Sequence, residues 1–343
     1  MEKRGMAMLK INQDDYAYST ARIRAKEIKL LDSARLERML EAATPEEAYK
    51  VLTESEYGTG GDSAGNVHSF ETLLAEEMKK TYALLEEIAP QIEVVRAFQR
   101  RHDFFNVKVL LKAEFSNQDP PAILMDTGTF DRETIRTMIR ERDYEQMTPT
   151  MHQAISELYD LFPRTGDPQV VDSILDKASY EQLAVDLKAI DNPFFQDLAN
   201  LMTDITNIKI FIRARSMGKA WDFLKKQLIS GGEIPEGVYT QNSDKPVDSF
   251  IGDLRHTRYG EAVYKGWELY KARKNISGLE KLLDDHLMEY VRRAKLITMG
   301  VEPFIAWLFA KEAEIRNARI IMTGKINGLS SDLIRERLRL VYV

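Results

Sequence analysis

Five histidines, His68, His102, His152, His256 and His286, are the side chains of this 343-residue chain best suited to bind a metal or pass a proton. None has glutamate three residues before it, so the paired Glu-x-x-His of a di-iron bundle is absent, and so is His-Glu-x-x-His. Asp253-Leu254-Arg255-His256 is the one acid-x-x-His, and it reads as a pair on a helix surface. Asp284-Asp285-His286-Leu287-Met288-Glu289 is an acid cluster of the kind that holds a diphosphate through Mg²⁺. Such chemistry needs a second acid cluster across the fold, and none is found, so a solvated helix face is the expectation. The Gly-Lys pairs Gly218-Lys219-Ala220 and Gly324-Lys325-Ile326 lack the upstream glycine and the hydroxyl of a phosphate-binding loop. The glycine-rich stretch from Gly58 to Gly65 follows a helical segment and no strand, which makes it a connector. With no cysteine, disulfides, thiolate metal sites and thiol catalysis are excluded. These residues assign no catalytic group, no cofactor-binding group and no metal ligand.

A polar pattern recurs instead. Asp103-x-x-Asn106-x-Lys108 returns as Asp204-x-x-Asn207-x-Lys209 and, more loosely, as Glu314-x-x-Asn317-x-Arg319, at spacings of 101 and 110 residues. Three apolar residues follow the base in each copy. Pro193-Phe194 stands eleven residues before Asp204, as Pro303-Phe304 does before Glu314, while Pro90 lies thirteen before Asp103. On a helix the acid falls within the apolar face, Asn flanks it one turn on, and the base lies on the far side. Acid and Asn are therefore expected to reach each other at i, i+3 in a mostly buried stripe. Copies of this length exceed the 33 to 47 residues of helical-pair solenoids and predict three related bundle units.

The elements that must carry this pattern are helices. With only 18 glycines and 11 prolines, long uninterrupted helices are predicted. Helical spacing runs from Tyr16 to Leu31, Asp32 or Ser33 caps a second helix, and Thr44-Pro45-Glu46-Glu47 opens a third. A helical run from Phe70 to about Ala113 bends near Pro90, and loops are expected near Pro120, Gly166, Gly231 and Asn242 to Pro246. The units are expected over residues 1–125, 126–240 and 241–343. Balanced charge, 48 basic against 54 acidic residues and net -6, argues against a general nucleic-acid or membrane-surface binder. Met1 to Lys10 lacks the apolar run of a signal peptide, and Pro303 to Ala310 is too short to cross a bilayer. A cytoplasmic protein is expected, with a peripheral place on a membrane complex left open.

Tyr16-Ala17-Tyr18-Ser19-Thr20-Ala21-Arg22-Ile23-Arg24-Ala25, with Glu27 and Leu30-Leu31, resembles the opening of the C-subunit family of archaeal and bacterial V/A-type rotary ATPases, the counterpart of the eukaryotic vacuolar d protein. Tyr57-Gly58, Asn207-Ile208-Lys209 with Arg213-Ala214, and Gly231-Gly232-Glu233-Ile234-Pro235 are similar to that family as well. So are Gly300-Val301-Glu302-Pro303, Lys311 through Ile321, Gly324-Lys325 and the terminal helix to Val343. The resemblance implies an all-α fold of three related helical units arranged with pseudo-threefold symmetry as a funnel. It also implies a non-catalytic central-stalk (rotor) part, a socket between the central shaft of the D and F subunits and the membrane proteolipid (c/K) ring, serving proton or sodium transport from the cytoplasmic face. No cofactor, nucleic acid or small-molecule substrate belongs to that role. Two other readings of the residues are an unrelated all-helical adaptor and a Mg²⁺-dependent helical enzyme using Asp284, Asp285 and Glu289.

Overall fold

The computed structural model describes residues 8–55, 57 and 66–343; the Gly58–Gly65 connector and most of the N-terminal stretch read for a signal peptide lie outside the described residues. The fold is all-α, with 72% of the described residues helical. The helices are α1 (Ala17–Glu27), α2 (Ser33–Glu41), α3 (Pro45–Thr53), α4 (Phe70–Ile88), α5 (Ile92–Phe115), α6 (Arg132–Glu141), α7 (Pro149–Thr165) and α8 (Pro168–Lys188). After them come α9 (Pro193–Ser216), α10 (Trp221–Gln227), α11 (Glu236–Gln241), α12 (Val247–Asp253), α13 (Gly260–Arg273), α14 (Ser277–Arg292), α15 (Val301–Ile326) and α16 (Ser331–Arg335). Their starts follow local chemistry. Asp32 accepts from the Arg35 amide at the head of α2, and Thr44 accepts from the Glu47 amide with Pro45 in the first turn of α3. The Glu47 carboxylate accepts in turn from the Ala43 amide at 2.8 Å, so two helix-end donors are satisfied by two side chains. The expected bend near Pro90 is a break that separates α4 from α5.

Contacts divide the chain into two compact units: residues up to Ile11 with Gln91–Val247, and Asn12–Pro90 with Asp248–Val343. In the first, α5 packs on α8, which also meets α7 and α9. Phe104, Val107 and Leu111 of α5 bury against Ile135, Ile155, Leu158 and Leu175. Leu9–Lys10 (β1) pairs in parallel with Ile190–Asp191 (β2), which ties the start of the described chain to this unit.

The second unit is built around α15. Every residue from Val301 to Ala310 is buried. The helix meets α1, α2, α3, α4, α14 and α16 along its length, with α2, α3 and α16 clustered around Ile315, Ala318, Ile321 and Met322. The apolar run that was too short for a bilayer is thus the centre of a protein core, the other setting for a helix apolar all round. Its first turn is tied from outside: Gln13 donates to Glu302 Oε1 at 2.9 Å and accepts from the Val301 amide at 3.0 Å.

Candidate functional site

The three long helices α5, α9 and α15 carry the repeated residues, and each asparagine grips one backbone residue of the segment that follows its helix. Asn106 Nδ2 donates to Met125 O at 2.9 Å while Oδ1 accepts from Met125 N at 2.8 Å. Asn207 holds Ile229 in the same way, at 2.8 and 2.9 Å. Asn317 holds Arg339 at 2.9 and 2.8 Å. A carboxamide presents one donor and one acceptor side by side, so it mimics the edge of a strand and fixes both polar groups of its partner. Eleven residues after each asparagine the chain turns through a left-handed residue, Asn117 (φ 53), Gly218 (φ 67) and Gly328 (φ 67). The next amide, of Gln118, Lys219 or Leu329, donates back to the last helical turn at 2.9 Å in all three.

The acids do related work in two copies. Asp103 accepts from the Thr129 amide and hydroxyl at 3.0 and 2.6 Å and from the Phe130 amide at 3.3 Å. Asp204 accepts from the Glu233 and Ile234 amides at 3.0 and 3.2 Å. Gly128 and Gly232 lie directly against these carboxylates. The expected contact between acid and Asn therefore gives way to a different solution. Both side chains are fully buried, but consecutive backbone amides of the loop offer donors that a single carboxamide cannot match, and the Asn is taken up two-sidedly by another loop residue. Two of the bases lie away from the acids: Lys108 pairs with Asp176 at 2.6 Å and Arg319 with Glu71 at 2.9 Å. Lys209 is half-buried.

Burial pushes the Asp103 carboxyl up to about 6, against the hydrogen bonds from Thr129 and Phe130 that favour its ionised form. The folded protein therefore keeps a proton between roughly pH 4 and 6 that the unfolded chain releases near 3.9. Stability is expected to fall by about 3 kcal/mol as pH rises through that window. Denaturant melts at pH 4 and pH 7 check this: Asp103→Asn should show a flatter difference, and a parallel profile would count against it.

In the third copy the acid turns elsewhere. Glu314 accepts from the Leu31 amide, from Tyr57 OH at 2.6 Å and from Lys311 Nζ at 2.6 Å. Lys311 also pairs with Glu77 at 2.6 Å and lies over the Tyr57 ring at 4.9 Å. Burial disfavours the Lys311 charge, yet Glu314 and Glu77 outweigh it and hold the ammonium above the usual lysine range. Burial, reinforced by the Glu314 and Glu77 charges, pushes the Tyr57 phenol well up, so it stays a donor. Sequence reasoning missed Glu77 and Gly128. The second could have been found by laying the loops after Asp103 and Asp204 over each other, where Gly128-Thr129-Phe130 meets Gly232-Glu233-Ile234.

One further apolar pair recurs, five residues before the clamped residue in the second and third copies and directly before it in the first. Leu124, Leu224 and Ile334 are buried, and the residue before each, Ile123, Phe223 and Leu333, is exposed by 58%, 45% and 50%. Each copy thus anchors an apolar residue on a clamped segment and leaves a second one facing out.

The acid cluster of α14 is engaged by the chain itself. Arg339 donates to Asp284 at 2.8 Å, and the Leu340 amide donates to Asp285 at 2.6 Å. His286 lies 3.8 Å from Glu289, and burial lowers its affinity for a proton. Asp253 and His256 are exposed. Among the described residues no group of three or more His, Asp or Glu is placed to hold a metal ion. Of the two Gly-Lys glycines, Gly218 is the helix-ending turn and Gly324 packs inside α15 against Ile334.

The comparisons follow the same span of chain. The family model described as ATP synthase (C/AC39) subunit matches residues 19–337. The chain is 26% identical to the C subunit of the A-type ATP synthase of Methanocaldococcus jannaschii, over 94% of this chain and 86% of that protein. It is 26% identical to the C subunit of the V-type sodium ATPase of Enterococcus hirae, over 93% and 97%. With the C subunit of the A-type ATP synthase of Haloquadratum walsbyi it shares 24% identity over 93% and 96%.

Proposed function

We propose that this chain, which belongs to the ATP synthase (C/AC39) subunit family, is a non-catalytic central-stalk part of a V-type ATP synthase/ATPase. In this reading it is a socket that couples the central shaft of the D and F subunits to the membrane proteolipid ring for proton or sodium transport. It works at the cytoplasmic face, as a peripheral part of the complex, and its three related sequence units, 1–125, 126–240 and 241–343, each supply one clamped segment. No helix among the described residues is long and apolar enough to cross a membrane, which fits a part that meets the ring from outside.

The observation that carries the reading is the threefold recurrence of an exposed apolar residue, Ile123, Phe223 and Leu333, on segments fixed by Asn106, Asn207 and Asn317. A coupling part must transmit torque without yielding, and two-sided backbone clamps in a close-packed interior resist deformation. Shaft capture tests it. Immobilised D–F complex should retain the chain, and the triple variant Ile123→Ser, Phe223→Ser, Leu333→Ser should be retained about tenfold less with an unchanged melt. No capture of the unaltered chain would overturn the reading, and equal capture of the variant would overturn this contact.

A further inference from the structure

We propose that the C-terminal turn of α1 and the connection leading into α15 form a contact for the surface of an anionic phospholipid bilayer. Arg24 builds this surface. Its Nη2 donates to Ala294 O at 3.0 Å, to Lys295 O at 3.3 Å and to Ile297 O at 2.7 Å, which holds the connection against α1. Its Nη1 bonds both oxygens of Glu27, at 3.0 and 2.8 Å, so the local acid is neutralised where it stands. On the other side Arg292 donates to Tyr342 O at 3.1 Å, and Lys295 lies 5.0 Å over the Tyr342 ring. The connection is therefore held from both flanks.

What it presents is two aliphatic side chains in a basic field. Ile28 is 80% exposed and Leu296 is 88% exposed, the highest values among the large apolar residues described. From Ile23 to Leu31 and from Arg292 to Met299 the chain carries six basic residues and one acid, Glu27, although its net charge is -6. A surface that contradicts the charge of the whole molecule this strongly selects an anionic partner. The cores of protein interfaces favour aromatic residues and are depleted of lysine, whereas here lone aliphatics stand among Lys26, Lys29, Arg293 and Lys295. That pairing suits the bilayer interface, where aliphatic groups enter the boundary of the acyl region and bases meet lipid phosphates. This surface goes beyond the shaft socket and does not depend on it.

Sedimentation of the full chain with vesicles tests the proposal. Mixed phosphatidylglycerol and phosphatidylcholine vesicles should carry the chain down, pure phosphatidylcholine vesicles should not, and added salt should release it. Both apolar residues are exposed, so Ile28→Ser with Leu296→Ser should leave the melt unchanged and weaken vesicle binding about tenfold. Arg293→Glu with Lys295→Glu should abolish the preference for anionic lipid. Failure of the unaltered chain to sediment, or sedimentation indifferent to these substitutions, would overturn the proposal. Lipid-independent capture by the purified proteolipid ring that the same substitutions abolish would assign the patch to a protein partner and overturn it too.

Discussion

Lys311→Met is expected to cost about 3–5 kcal/mol, the loss found when one partner of a buried ion pair is removed. Lys311 sits on α15 with its side chain 4% exposed, and it is 2.6 Å from both Glu77 of α4 and Glu314 of its own helix. Methionine fills nearly the same volume, so packing changes little and the electrostatic term is isolated. Two carboxylates then face each other in a site with no cation, supported by Tyr57 OH and the Leu31 amide alone on the Glu314 side. Chemical denaturation at pH 7 reads the loss. Adding Glu77→Gln and Glu314→Gln to Lys311→Met should recover much of it, because neutral amides need no counter-charge. A cost below about 1 kcal/mol for the single variant, or no recovery in the triple, would show that the cluster does not behave as a buried charge set.

Gly232→Ala is expected to be almost as damaging, although it adds one methyl group. A Cβ at this position would overlap Asp204 Oδ1 and come within 2.9 Å of Cγ. Relief requires the carboxylate to leave the Glu233 and Ile234 amides, which abandons two charge-assisted bonds in a fully buried place. Overpacking of about 1–3 kcal/mol combines with about 1.5–3 kcal/mol for a lost bond to a charged group. A loss of about 2.5–6 kcal/mol follows. Gly128→Ala should behave alike, since its Cβ would overlap Asp103 Oδ1 and lie 3.1 Å from Cγ. Gly237 in α11 is the control: nothing lies within 4 Å of a Cβ there, so alanine should stabilise by about 0.5–1 kcal/mol. If Gly232→Ala melts like Gly237→Ala in denaturant, the close approach of glycine and carboxylate is not needed for stability.

These two sites differ in how far they could be read from the sequence. The acid and the asparagine of each copy were legible, because polar residues at fixed spacing inside an apolar helical stripe stand out against their surroundings. Their partners were not. A backbone amide has no side-chain signature, and Thr129 or Glu233 supplies the same donor. The loops also differ in length: Asn106 reaches Met125 nineteen residues on, and Asn207 reaches Ile229 after twenty-two. That difference hides the register of Gly128 and Gly232. Between the second and third copies the register is strict, with Gly218 matched to Gly328 and Phe223-Leu224 to Leu333-Ile334, 110 residues apart.

The amino-acid sequence by itself determined the helical class, several helix starts and the recurring acid and asparagine, because caps, periodicity and spacing act within a turn or two of chain. The tertiary structure alone decided which groups those side chains satisfy. In the third copy Glu314 is met by the Leu31 amide and by Tyr57, 283 and 257 residues away along the chain. A buried carboxylate demands donors wherever the chain path brings them. The demand is written in the residue type, while the supply depends on which segments packing places against α15.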